Sequence, residues 1–226
     1  VSASFADIDN DGDPDLYSSA VREGKSLFEN LGGGRFKDVS AESGLDYRGH
    51  SSSAVFFDYD RDGLLDMFLA NVGVYTTDEQ AAISVGTGHY YVGFTDAFSG
   101  HLMPERAEQS ILYRNSGGNR FVDVSVAVGL EDVGWSGAAS PLDANGDGWP
   151  DLYVLNMQGH DQYYENVRGE YFVDKSREVF PRTPWGSMGI QVFDFDNDGR
   201  QDIYVTDMHS DMSEDIGPEK EKLKSS

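Results

Sequence analysis

The chain contains no cysteine, so disulfides, thiolate metal sites and cysteine nucleophiles are all excluded, and the redox compartment stays open. Basic residues are scarce: 17 Lys and Arg stand against 40 Asp and Glu, a formal charge of −23. A surface that acidic repels nucleic acid and anionic membrane, and neither is expected as a direct partner. No apolar run approaches the roughly 18–20 residues that span a bilayer. The amino end lacks the apolar stretch of a signal peptide and begins at Val1 rather than Met, so the chain reads as a mature or excised piece. H-E-x-x-H and G-x-S-x-G are also missing, and no two of the 40 acids stand out as a glycosidase pair. A catalytic role is therefore not expected, with a polysaccharide-directed enzyme as the alternative.

Acid is abundant, and it is patterned. "DIDNDGDPD" begins at Asp7, "DYDRDGLLD" at Asp58, "DANGDGWPD" at Asp143 and "DFDNDGRQD" at Asp194. Like charges this dense repel unless a cation holds them together. Calcium takes six to eight oxygen ligands in loose geometry, which suits alternating carboxylates; magnesium prefers more water. The expected side-chain ligands are Asp7, Asp9, Asp11 and Asp15; Asp58, Asp60, Asp62 and Asp66; Asp143, Asn145, Asp147 and Asp151; and Asp194, Asp196, Asp198 and Asp202. The seventh residue of each loop, Asp13, Leu64, Trp149 or Arg200, is expected to add a backbone carbonyl. Glycine fills the sixth place in all four loops, where the chain must turn sharply. An EF-hand would need Glu at the twelfth place, but Ser18, Leu69, Val154 and Val205 stand there. Up to four structural calcium ions are expected, which would bring the formal charge from −23 to −15.

The loop starts are separated by 51, 85 and 51 residues. A second motif recurs as "LFENLGGGRFKDVS", "LYRNSGGNRFVDVS" and "YYENVRGEYFVDKS", with Asn30, Asn115 and Asn166 each 28 residues before the next loop. The unit is therefore 51 residues, beginning near 1, 52, 137 and 188, and the second copy carries 34 more in an insertion near 73–108. Each unit divides into four short strands. A small-residue strand enters the acidic loop, a second leaves it, and a third runs through a glycine-rich turn into a fourth. "SAESGL" and "SVAVGL" fit a helical turn after the fourth strand. Strand-rich repeats of this length predict an all-β β-propeller built of four-stranded blades, one region spanning 1–226 with an irregular tail at 208–226.

The acidic loop between two strands, at this period, resembles the FG-GAP/VCBS repeats of integrin α-subunit propellers. With "LYRN", the glycine turn and "F-x-DV" added, it resembles the bacterial and cartilage-acidic-protein relatives that carry an ASPIC/UnbV domain. The likeness covers nearly the whole chain. Four repeats are present where such propellers have about seven, and no ASPIC/UnbV segment follows, so further blades or another copy are expected to complete the ring. The resemblance implies an extracellular, cell-surface or periplasmic module for adhesion or recognition.

The loops of such a blade alternate between two faces. The insertion and blade connections lie opposite the calcium loops and form the expected face for a protein or glycan ligand. His50, His89, Tyr90, Tyr91, His101, Trp135, His160, Trp185 and His209 are its candidate residues. A structural subunit of a filament or surface assembly, using open sheet edges, is the third reading.

Overall fold

The computed structural model describes residues 2–22, 26–45, 47–82 and 89–208, leaving out the side chains of Phe98, His101 and Pro104. The first repeat forms β1 (Ala3–Ala6), β2 (Asp15–Ser18), β3 (Ser26–Asn30) and β4 (Phe36–Asp38), an antiparallel sheet in that order, followed by a single helical turn α1 (Ser40–Ser43). The second repeat begins with β5 (Ser51–Phe57) and β6 (Asp66–Asn71). The insertion follows as its own hairpin, β7 (Thr76–Ala82) and β8 (His89–Gly93), and two 3-10 turns at Ala97–Leu102 and Pro104–Arg106. β9 (Ile111–Asn115) then pairs with β6, and β10 (Phe121–Asp123) with β9, so the insertion leaves the sheet order undisturbed. β11 (Ser136–Leu142), β12 (Asp151–Asn156), β13 (Gln162–Val167) and β14 (Tyr171–Asp174) make the third sheet, capped by α2 (Ser176–Val179). β15 (Ser187–Phe193) and β16 (Asp202–Asp207) form a two-stranded fourth. Residues 209–226, His209 among them, lie outside the described residues.

The fold is all-β with short turns, and its four-stranded antiparallel sheets stand in a row through their first strands. Small residues make this close approach possible. Ser4 Oγ donates to Ala54 O at 2.8 Å, Ser52 Oγ to Ser136 O at 2.7 Å and Ser53 Oγ to Gly137 O at 3.2 Å. β5, β11 and β15 each carry a register shift near their first residues, a bulge that twists the strand as it enters the row.

The core is divided among the sheet-to-sheet interfaces. Ile8, Tyr17, Leu27, Met67, Leu69 and Phe121 fill the first, and Phe57, Tyr59, Phe68, Leu112, Leu152 and Phe172 the second. Leu142, Tyr153, Leu155 and Tyr163 meet half-buried Ile190, Val192 and Ile203 in the third. A strand covered on both faces runs apolar through its middle, and all six residues of β6 and of β12 are buried, with Asp66, Asn71, Asp151 and Asn156 as the polar ends. β2 and β16, at the ends of the row, alternate instead. Each large side chain so buried contributes about 1.5–3 kcal/mol, and most of that is lost if neighbouring sheets separate.

Candidate metal centre and the opposite face

The acidic loops turn from β1 to β2, β5 to β6, β11 to β12 and β15 to β16. In the first loop Asp11 N donates to Asp7 Oδ1 at 3.1 Å and to Asp9 Oδ1 at 3.2 Å, Gly12 N to Asp7 Oδ2 at 3.0 Å, and Asp13 N to Asp11 Oδ1 at 2.8 Å. The second loop repeats this through Asp58, Asp60 and Asp62, and the fourth through Asp194, Asp196 and Asp198. Two positive-φ residues make the coil possible: the fourth (Asn10, Arg61, Gly146, Asn197) and the glycine at the sixth (Gly12, Gly63, Gly148, Gly199). Glycine and asparagine tolerate this conformation best, and Arg61 is the exception among the four.

Three loops gather oxygens that could hold a metal ion. One carboxylate oxygen from each of Asp7, Asp9 and Asp15 lies within 4.8 Å of the others, and the same holds for Asp58, Asp60 and Asp62 and for Asp194, Asp196 and Asp202. Such all-carboxylate sets are hard-cation ligands, matching calcium or magnesium rather than a thiophilic metal. No such triad forms at the third loop among the described residues. There the Asn145 amide donates to Asp147 Oδ2 at 3.1 Å, while Asp143 Oδ1 accepts Gly146 N at 2.9 Å.

The ninth residue does more than the sequence reading assigned to it. Asp15 Oδ2 accepts Ile8 N at 3.0 Å and Oδ1 accepts Asn30 N at 2.7 Å, so it ties the loop to the third strand. Asp66 and Asp151 make the same pair of bonds, to Tyr59 and Asn115 and to Ala144 and Asn166. These three carboxylates are buried, whereas Asp202 is exposed and accepts Phe195 N at 2.8 Å. Burial pushes Asp66 up to about 7, assisted by the charges of Asp60 and Asp62 and opposed by its two N–H donors. Burial also raises Asp9, Asp15 and Asp151. An added cation would reverse that trend.

The repeat asparagine completes the arrangement. Asn115 Nδ2 donates to Leu65 O of its own loop at 3.1 Å and to Ile8 O of the preceding loop at 2.8 Å. Asn166 Nδ2 does the same with Pro150 O and Tyr59 O, both at 2.9 Å. Asn30, in the first sheet, reaches Pro14 O at 2.9 Å. The spacing of these asparagines was evident from sequence, but their bridging was not, because nothing local distinguishes an inter-sheet donor from a turn former. Further links join neighbouring loops: Asn10 Nδ2 to Gly63 O at 2.8 Å, the Arg61 guanidinium 5.3 Å from the Trp149 ring centroid, and Asp143 N to Gln201 Oε1 at 2.7 Å. All four acidic loops therefore share one side. Arg114, on β9, also reaches this side: its Nε lies 2.6 Å from Asp60 Oδ2 and its Nη2 2.9 Å from Asp62 Oδ2.

At the other end of the strands the candidate ligand residues divide. His50 is buried rather than presented to solvent. Its ring lies 3.2 Å from Glu108 Oε1 and 2.8 Å from Thr76 Oγ1 and packs on Tyr75, fixing the insertion to the sheets. Tyr91 lies under Arg22, whose guanidinium also bonds Thr76 and Asp78. His89 is exposed and Tyr90 is 54% exposed on β8. His160 and Trp185 are half-buried, and the side chain of His101 is outside the description. Trp135 is buried and borders a cavity of about 380 Å³, lined also by Val72, Tyr75, Met157, Met188 and Met208. Methionines there were not singled out from sequence, since Met157 lies in the third repeat and Met188 and Met208 at the two ends of the fourth repeat's strand pair. No helix among the described residues is long and apolar enough to cross a membrane.

No curated protein matches this chain. Among solved structures, an Agrocybe aegerita lectin described as recognising non-reducing terminal N-acetylglucosamine aligns at 17% identity over 90% of this chain, with a TM-score of 0.33. This chain spans 59% of that structure, and a likeness so distant carries no argument. The model of the FG-GAP-like repeat matches residues 7–69 and 143–205, each running from the start of one acidic loop to the strand that leaves the next. Those two matches take in all four acidic loops and more than half of the sequence, and the chain belongs to the FG-GAP-like repeat family.

Proposed function

We propose that this chain is a calcium-stabilised recognition module of propeller type, working outside the cytoplasm. The observation that carries the reading is the recurrence, in three loops, of one N–H scaffold that turns three carboxylates toward each other. Asp7, Asp9, Asp11 and Asp15 would hold one ion and Asp194, Asp196, Asp198 and Asp202 another, with the carbonyls of Asp13 and Arg200. Bound calcium would supply charge neutralisation and a cross-link between first and second strands; no reaction is assigned to it. The third loop, with Asn145, is the weaker member. A protein or glycan partner is assigned to the insertion face, where Tyr90 and His89 are exposed and the methionine-lined cavity offers an apolar recess.

Calcium titration by calorimetry, with a melt in chelator and a magnesium control, tests the reading. Sites filled at 100 times their Kd would each add about 2.7 kcal/mol. A chain that takes up no calcium and melts identically in chelator would remove the central claim.

A second reading has its own observation. Phe195 is 74% exposed where its counterparts Ile8 and Tyr59 are 1% and 3%, and Tyr204 is 61% exposed where Tyr17 is 1%. The uncovered face of β15–β16 thus fits another blade of this type, from a longer chain or a second copy. Light scattering on this chain separates the two: a monomer at all concentrations excludes the second copy.

A further inference from the structure

We propose that Arg114 is a built-in counter-ion of the second loop and sets its calcium affinity below that of the first and fourth. The inference rests on the calcium reading above and concerns how the loops differ. In the shared scaffold, the third and fifth acids each spend one oxygen on a backbone N–H and leave the other for a cation. In the second loop the spent atoms are Asp60 Oδ1, 3.3 Å from Asp62 N, and Asp62 Oδ1, 2.9 Å from Leu64 N. The remaining oxygens, both Oδ2, are the ones Arg114 holds, through Nε at 2.6 Å and Nη2 at 2.9 Å. Two donors in one rigid plane each take one carboxylate, so a single guanidinium makes two charge-assisted hydrogen bonds.

The same strand position carries opposite charge elsewhere. The residue before the repeat asparagine is Glu29 in the first repeat and Glu165 in the third. These carboxylates pair with Lys37 at 3.4 Å and Lys175 at 3.3 Å. In the fourth loop Arg200 comes only within 3.9 Å of one acid, Asp198, and is 86% exposed. Asp60 and Asp62, by contrast, are 13% and 30% exposed and share one guanidinium. Calcium entering the second loop must displace both contacts and then sit beside the arginine charge. Without calcium, the same guanidinium neutralises acids that would otherwise repel. The second loop lies between the first and third in the row, tied to them by Asn10 and Arg61, so Arg114 keeps the middle of the array closed when calcium is scarce.

The test is calcium calorimetry on the full chain, wild type against Arg114→Gln, with melts in chelator. Arg114→Gln is expected to strengthen calcium binding at one site, the second loop, by about tenfold or more, the scale of a displaced charge-assisted pair, and to lower the chelator melting temperature. Adding Asp58→Asn to Arg114→Gln should abolish the gained affinity and so locate it in the second loop. If Arg114→Gln fails to fold without calcium, Arg114→Lys is read instead, which keeps the charge but loses the fork and should show a smaller gain. Unchanged affinities in a folded Arg114 variant overturn the inference while leaving the calcium reading intact. A wild type that binds no calcium at all overturns the calcium reading, whatever the variants do.

Discussion

Replacing Asn166 by alanine should cost far more than the same change at Asn30, although the two occupy the same place in the repeat. Asn166 is 1% exposed and makes three side-chain hydrogen bonds: Nδ2 to Tyr59 O and Pro150 O at 2.9 Å, and Oδ1 from Gly169 N at 2.8 Å. Alanine removes the side-chain partner of all three backbone groups, of which the bond to Tyr59 O is fully buried. At about 1–3 kcal/mol per buried polar group left unpaired, with partial relaxation, the loss is roughly 3–5 kcal/mol. Asn30 bonds Pro14 O at 2.9 Å and Gly32 N at 3.0 Å, at the half-exposed end of the row. Water can replace both, and about 1 kcal/mol is expected. The assay is urea unfolding at one fixed calcium concentration, so that ligand linkage is the same for each variant. Asn166→Asp is the control: it keeps the acceptor for Gly169 and loses both donors, and should fall between wild type and alanine or below alanine if its charge stays buried. Equal costs at Asn30 and Asn166 would refute the idea that the repeat asparagine acts by bridging sheets.

Other perturbations probe different layers. Burial pushes Asp161 up to about 6, with hydrogen bonds from Asn156, Ser187 and Tyr153 pulling it back and Asp207 adding to the rise. A folded-state value above the unfolded value of about 3.9 means that its contribution is fully present below pH 4 and is lost as pH rises to about 6. Asp161→Asn should remove up to about 3 kcal/mol of that slope, read as the difference between the two stability–pH curves in chelator. Gly44, at φ +80°, would place a Cβ 2.5 Å from Phe121 O, so Gly44→Ala should lower stability by about 2 kcal/mol or more. Gly129→Ala, whose Cβ would lie 3.1 Å from Phe172 O, should cost less, and denaturant midpoints decide. His50→Ala should speed amide exchange across β7 with little change in the melting temperature, because it releases Thr76 and Glu108 of the insertion from the sheets rather than opening a sheet interface.

Much of this protein was legible from its sequence for local reasons. Alternating acids with glycine at the sixth place encode a coil whose hydrogen bonds close within five residues, so the loops needed no tertiary context to be recognised. The segments "DLYSSA", "DMFLAN" and "DLYVLN" likewise read as the strands that leave the loops, while the neighbouring sheets decided which of them is covered on both faces. What only the tertiary structure decided is which groups meet across sheets. Asn115 and Asn166 bond carbonyls 107 residues away, Arg114 reaches acids more than 50 residues earlier, and His50 bonds an insertion that begins beyond the next two strands. A repeat makes every copy look equivalent along the chain. Its copies become different only when neighbouring sheets bury some of them, leave others at the end of the row, and bring one cation against one pair of acids.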